Sequence, residues 1–236
     1  PVLHNWAFSR YGLAKAYLKW PLAEANFPSF MLSTRTMPIK GLSVTIPYKQ
    51  KVIPYLDGLR SEALATGAVN TLYWSNGLLY GENTDCTGLV APLKEQTFAI
   101  KSAVILGAGG AGRASIIGLK SIGVSKIWIC TRSSSKARQL ADEFFVNVLP
   151  WDERDMLKAD LLLNATPLGM SGEHEQKSAF SEADKLSTFK VVYDLIYNPI
   201  KTPLLQLAQK AGCLTINGLE MFLYQAAEQF KLWTNK

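Results

Sequence analysis

The stretch KSAVILGAGGAGRASIIGLKSIG, residues 101–123, decides the architecture. An apolar run, Ala103 to Leu106, has the length of a buried strand. It runs directly into Gly107-Ala108-Gly109-Gly110-Ala111-Gly112, after which apolar residues recur at helical spacing. A G-x-G-x-x-G pattern alone also describes an ordinary tight turn between strand and helix. Between an apolar strand and an amphipathic helix it predicts a dinucleotide-binding turn. Each glycine then has a use. Gly107 permits the tight turn, Gly109 lets a pyrophosphate approach the backbone, and Gly112 lets the helix pack close to the sheet. The helix start supplies unpaired N–H donors to the phosphates.

Downstream, strand and helix signals alternate: KIWICTR, then SSKARQLADEFF, then DLLLNATPLGM and KVVYDLIY. Such alternation predicts βαβ crossovers and a parallel, doubly wound sheet of Rossmann type. A ligand would lie at the carboxyl ends of its strands, where NATPLGM begins.

The residues at 128–138, WICTRSSSKAR, bear on which dinucleotide binds. An NAD site places an acid about twenty residues past the glycines, to accept from the ribose 2′-OH. Around Cys130 to Arg132 there is none. Arg132 can instead fork onto a 2′-phosphate, Ser133, Ser134 and Ser135 add donors, and Lys136 and Arg138 add charge. A solvated basic helix start is the other reading, but cations there oppose the helix dipole, a conflict that a bound phosphate removes. The residues therefore predict NADP.

Upstream the pattern differs. Residues 1–18 read as a helix running into YLKW, with Trp6, Ala7, Tyr11 and Leu13 as buried candidates. GLSVTIPY reads as a short strand stopped by Pro47. Val52, Ile53, Leu56 and Leu59 recur at helical spacing and predict a further helix. NTLYW and LLYGE around Ser75-Asn76-Gly77 read as a hairpin. A domain boundary is expected near Asp85.

Composition excludes several classes. The net charge is +6, but Lys and Arg are scattered along the chain, which suits small anionic ligands better than nucleic acid. The three cysteines lack metal or disulfide spacing, and with only two histidines no His-rich metal centre is expected. No apolar run approaches the ~20 residues of a membrane span, and no signal peptide is visible. A cytoplasmic location is expected.

Two residues are candidates for chemistry, Lys49 just after the Pro47 stop and Asp85 at the end of the hairpin. By spacing alone, Lys49 also reads as a solvated surface lysine and Asp85 as a helix cap.

The chain resembles the shikimate dehydrogenase family in ordered stretches running almost throughout. They are His4-Asn5, SVTIPYK (43–49), GAVNT (67–71), ENTD (82–85), GAGGAG (107–112), TRSSSKA (131–137), NATPLG (164–169), YDLIYNPIKTPLL (193–205) and NGLEMFLYQ (217–225). The resemblance implies a two-domain α/β enzyme with substrate in a cleft between the domains. A small substrate domain would span 1–84, completed by a C-terminal helix over 219–236, and a Rossmann NADP domain would span 85–218. The implied reaction is the reversible NADP-linked reduction of 3-dehydroshikimate to shikimate, a step of aromatic amino-acid biosynthesis, by a monomer or homodimer.

Carried over by position, Lys49 matches the catalytic lysine and Asp85 its partner carboxylate. Thr45, Asn70, Tyr197 and Gln225 match substrate-contacting positions. Gly107, Ala108, Gly109, Gly110, Ala111, Thr131, Arg132 and Lys136 match contacts to the NADP phosphates. Ala165, Thr166, Leu195 and Gly218 match positions near the nicotinamide. Pro1 corresponds to the proline just after the family's opening strand and Ser-x-Ser segment, whose hydroxyls hold the substrate carboxylate. The chain is then expected to be either a piece of a longer protein or one with a degraded site, and loss of that strand would bare a sheet edge. Ser43 stands where many relatives have Asn, and Cys86 where Gly commonly follows the Asp. Competing expectations are a relative acting on quinate or an aminoshikimate, and an NADP-binding module without turnover. A nucleic-acid binder is a third, and the absence of an aromatic-basic stripe argues against it.

Overall fold

The computed structural model describes residues 1–156 and 158–236. The chain forms two compact units, Pro1–Thr84 with Ala226–Lys236, and Asp85–Gln225.

The second unit is built on a fully parallel six-stranded sheet in the order β10-β9-β8-β5-β6-β7. Its strands are β5 (Ser102–Leu106), β6 (Lys126–Cys130), β7 (Asn147–Leu149), β8 (Leu161–Asn164), β9 (Val191–Asp194) and β10 (Leu214–Asn217). The chain enters at the centre in β5, steps out through β6 and β7, then crosses to β8 and continues outward to β10. The order therefore reverses between β5 and β8, the topological switch point of a doubly wound sheet.

Both faces of the sheet are covered, and the side-chain alternation of β5 shows it. Ala103 and Ile105 join one apolar cluster with Leu89, Leu93, Ile116, Leu119 and Leu140. Those partners come from α4 (Thr84–Lys94), α5 (Gly110–Ser121) and α6 (Ser134–Phe144). Val104 and Leu106 join a second cluster with Phe180, Phe189, Leu204 and Leu205, the last two from α7 (Pro203–Lys210). A strand buried on both faces has no polar side, which is why these strands read as continuous apolar runs.

The first unit holds a four-stranded sheet, β1-β3-β4-β2. It contains β1 (Gly41–Ser43), β2 (Gly58–Leu59), β3 (Thr71–Ser75) and β4 (Leu78–Glu82). The β3–β4 hairpin turns on Asn76 (φ 51°) and Gly77 (φ 77°), the two left-handed residues of a type I′ turn. Phe27 and Met31 of α2 (Phe27–Ser33) and Ala63 of α3 (Ser61–Thr66) pack with Val69, Leu72 and Leu79. The end of α8 (Gly218–Thr234) supplies Trp233, whose indole N–H donates to the Leu72 carbonyl at 2.8 Å.

Three expectations for this unit need correction. The N-terminal helix, α1, covers only Val2–Arg10. Gly12 adopts φ 63°, and the N–H groups of Gly12 and Leu13 bond back to the Ser9 and Phe8 carbonyls at 3.1 and 2.8 Å. This is a Schellman stop, for which glycine is suited. The buried face is also a different one. His4 and Phe8 are buried, whereas Trp6 and Tyr11 are 63% and 58% exposed and Ala7 and Leu13 are half-buried.

Second, no α-helix spans 52–59. A single 3-10 turn, Ile53–Tyr55, gives way to extended backbone at Leu56. The Asp57 N–H donates to the Leu79 carbonyl, the Leu79 N–H donates to the Asp57 carboxylate, and β2 pairs with β4. Strand pairing outweighs the helical spacing of the apolar residues. Third, the strand read in GLSVTIPY stops at Ser43, short of Pro47.

Candidate functional site

At the switch point, the N–H of Gly107 donates to the Cys130 carbonyl at 2.8 Å, and that of Ala165 donates to the Leu106 carbonyl at 2.9 Å. The glycine turn is thus held between the ends of β6 and β8. Gly107 sits at φ 103°, and a Cβ there would lie 2.9 Å from the Ala165 carbonyl oxygen. A Cβ on Gly112 would overlap the Gly107 carbonyl. At Gly109 and Gly110, by contrast, an added Cβ meets nothing within 4 Å. The inner side of the turn is closed by packing and its outer side is open. Gly109 is also the N-cap of α5 and brings no side chain to it. An open, backbone-lined helix start of this kind fits a pyrophosphate. Ala108 is half-buried and Ala111 exposed along the same turn.

Thr131, half-buried, and Arg132, exposed, follow the end of β6. Ser133 is the N-cap of α6 but makes no side-chain capping bond, and no acid occupies the helix's first turn. Its hydroxyl instead meets that of Ser135 at 3.3 Å. Lys136 and Arg138 are exposed on the first turns. The Arg113–Glu143 pair draws on neither, nor on Arg132. Hydroxyls, basic side chains and an uncapped helix start form a group suited to a phosphate monoester.

The other side of the switch point is built on two buried polar side chains that the sequence reading did not single out. Asn164 ends β8, and its amide oxygen accepts from the N–H and hydroxyl of Thr166 at 3.1 and 2.7 Å. Its amide nitrogen donates to the Leu168 carbonyl at 3.2 Å and to Asp194 at 3.0 Å. Asp194 ends β9 and is 0% exposed. Burial pushes its carboxyl up to about 6, against the pull of bonds from Thr202, the Ile196 N–H and Asn164. The Leu195 N–H donates to the Asn164 carbonyl, and the Gly218 N–H to the Ile196 carbonyl. Ala165, Thr166, Leu195 and Gly218 therefore gather at the carboxyl ends of β8, β9 and β10. Tyr197, 53% exposed, stacks on Phe222 with ring centres 5.4 Å apart. Gln225, one turn beyond Phe222, donates to the Phe222 carbonyl at 3.0 Å.

In the first unit, residues 44–52 form a pinned loop. The Val44 N–H donates to the Asn70 carbonyl at 2.7 Å, and the Val69 N–H to the Lys49 carbonyl at 2.8 Å. Tyr48 anchors the loop, stacking on Phe27 and donating its hydroxyl to the Leu22 carbonyl at 2.6 Å. The arrangement brings exposed Thr45, half-buried Lys49 and buried Asn70 to one place. Asn70 is held in turn. Its side-chain oxygen accepts from Thr71 Oγ1 and the Thr84 N–H at 2.7 and 2.9 Å. Gln229 donates to Thr71 Oγ1 at 3.0 Å and to the Asn70 carbonyl at 3.4 Å, and its own oxygen meets buried His4 at 3.2 Å. Asp85, half-buried, directly follows Thr84 in the first turn of α4.

Among the described residues, no group of three or more His, Cys, Asp or Glu side chains is placed to hold a metal ion. None of the described helices is long and apolar enough to cross a membrane. Among the described residues no disulfide is formed; Cys86 and Cys130 are buried and Cys213 is half-buried.

Known families match three parts of the chain. Residues 1–72 match the shikimate dehydrogenase substrate-binding domain, and residues 218–236 the shikimate 5′-dehydrogenase C-terminal domain. Residues 101–187, which include the glycine turn, match a coenzyme F420-dependent NADP oxidoreductase family. The shikimate dehydrogenase (NADP(+)) of Maridesulfovibrio salexigens is 45% identical over 99% of this chain and 86% of its own length. That of Oleidesulfovibrio alaskensis is 43% identical over 100% of this chain and 85% of its own. Among solved structures, shikimate 5-dehydrogenase from Listeria monocytogenes, in complex with shikimate and NAD, superposes with a TM-score of 0.92 at 33% identity. That likeness covers 100% of this chain and 87% of the other. The Thermus thermophilus enzyme, with NADP(H) and shikimate, gives a TM-score of 0.88 at 33% identity, covering 100% of this chain and 88% of that one.

Proposed function

The chain belongs to the shikimate dehydrogenase family, and from that membership we propose that it interconverts 3-dehydroshikimate and shikimate with NADP in the cytoplasm. The observation that carries the reading is the open glycine cradle at the switch point, beside a strand end that bears Arg132 and no acid.

In this reading the backbone of Gly107 to Ala111 holds the pyrophosphate, and Thr131, Arg132 and Lys136 hold the 2′-phosphate. Ala165, Thr166, Leu195 and Gly218 line the nicotinamide end. When bound, the nicotinamide supplies the hydride acceptor. Thr45, Asn70, Tyr197 and Gln225 orient the substrate. In the oxidising direction Nζ of Lys49, as the free amine, would accept the proton of the substrate hydroxyl, and as the ammonium it would return that proton in the reducing direction. Asp85 is the carboxylate that orients that lysine and the substrate. Positioning of substrate and cofactor by these residues would lower the entropic part of the barrier.

The test is the initial rate of NADPH formation by this chain with shikimate and NADP⁺, with quinate and NAD⁺ as comparison substrates. Turnover of shikimate with NADP⁺ is expected. Faster turnover of quinate would move the assignment to that substrate. NADPH binding without turnover would identify a binding module.

A further inference from the structure

Asp194 and Asn164 lie behind the proposed nicotinamide end. One oxygen of the Asp194 carboxylate accepts from the Asn164 side-chain amide at 3.0 Å and from the Ile196 N–H at 3.1 Å. The other accepts from the Thr202 hydroxyl at 2.6 Å. Thr202 in turn caps α7, accepting from the Leu205 N–H at 3.3 Å. Asn164 carries the connection onward to Thr166 through two further bonds. One carboxylate therefore ties together the loop after β8, the loop after β9 and the start of α7.

A fully buried carboxylate is costly to keep where packing alone is needed, since an apolar group of similar size usually serves as well. Here every neighbour aims a donor at it, so the position needs an acceptor-only group. Asparagine would not satisfy it. An amide nitrogen facing Thr202 donates and cannot accept, so it would leave the threonine hydroxyl hydrogen without an acceptor and crowd an oxygen that already caps α7. An amide nitrogen facing the other way would oppose the Asn164 and Ile196 donors.

We propose that Asp194, acting through Asn164 and Thr202, is a positioning residue that sets the loops carrying Ala165, Thr166 and Leu195 against the nicotinamide half of the cofactor. It touches neither cofactor nor substrate. The proposal rests on the NADP-dependent reading above and adds a division of labour, in which the 2′-phosphate end at Arg132 is set independently of this network.

The experiment is calorimetric titration of the full chain with NADPH and, separately, with adenosine 2′,5′-bisphosphate, which lacks the nicotinamide half. The proteins are wild type, Asp194→Asn, Thr202→Val and Thr202→Ser. Asp194→Asn and Thr202→Val are expected to weaken NADPH binding by about tenfold, the scale of one hydrogen bond to a charged group. Adenosine 2′,5′-bisphosphate should bind as in wild type, and Thr202→Ser, which keeps the hydroxyl, should match wild type for both ligands. Parallel weakening of both ligands, or no weakening of either, overturns the proposal. If Asp194→Asn fails to melt cooperatively, the Thr202→Val and Thr202→Ser pair decides the question alone. Wild type that binds NADPH without turning over shikimate refutes the functional reading while the binding comparison still decides this one. Wild type that does not bind NADPH overturns both.

Discussion

Arg132 lies two residues past Cys130, the last residue of β6, and a carboxylate at this point would repel the 2′-phosphate that separates the two nicotinamide dinucleotides. In the proposed reading, replacing it with alanine would remove a charge-assisted fork, a bond class that contributes about 1.5–3 kcal/mol. Arg132→Ala is therefore expected to raise KM for NADP⁺ by roughly ten- to a hundredfold and to leave KM for NAD⁺ nearly unchanged, as initial rates with each cofactor would show. A uniform loss with both cofactors would put Arg132 elsewhere in the mechanism. For the proton carrier, general-base removal sets the scale. Lys49→Ala should lower kcat by about 10²–10⁴-fold, and Asp85→Asn should cost less. The reverse order would make Asp85 the proton carrier. These positions are proposed because the short motifs of the family resemblance fix both residue type and place. Asn164, Asp194 and Gln229 were not singled out, since their roles depend on pairings between residues distant in the chain, Asn164 with Asp194 and Gln229 with His4.

Elements were legible where local chemistry and tertiary pairing agree. The Asn76-Gly77 turn joins two strands of matching register, from Thr71↔Glu82 to Ser75↔Leu78, and both turn residues tolerate positive φ. Gly77→Ala at φ 77° should cost about 1 kcal/mol in denaturant unfolding, with kcat unchanged. The segment at 52–59 failed for the opposite reason, since its helical spacing was outweighed by pairing with β4, which no local pattern records. The starts of β5, β8 and β9 show a further device. Asp160 accepts from the N–H groups of Lys101 and Ser102 at 2.9 and 3.1 Å and from the Ser102 hydroxyl at 3.0 Å. It also pairs with Lys190 at 2.7 Å. Burial alone would raise its carboxyl, but the Lys190 pair and the Lys101 and Ser102 bonds together hold it at about 2, below the usual 3.8. The folded state thus binds this proton less readily than the unfolded state. The stabilisation is complete above the unfolded value and fades as pH falls toward the folded one. Asp160→Asn should lower Tm at neutral pH and flatten the fall of Tm between about pH 4 and pH 2.

Across the whole molecule, the chain carries a net charge of +6 without a dense basic run, which places an attractive field around ligands that are themselves strongly anionic. NADP⁺ carries one phosphate more than NAD⁺, and the proposed partners of that phosphate, Arg132 and Lys136, are exposed, as is Arg138 beside them. Salt screens such interactions over a Debye length of about 30 Å at 0.01 M and about 10 Å at 0.1 M. KM for NADP⁺ should therefore climb several-fold across that range of ionic strength, while KM for NAD⁺, lacking the phosphate, moves much less. The dependence should be blunted in Arg132→Ala, because the local cations, rather than the overall charge, make the close contact. If instead both cofactors show the same salt slope, and Arg132→Ala keeps it, the general field of the protein is responsible, and the basic start of α6 is a solvated surface feature with no share in cofactor choice.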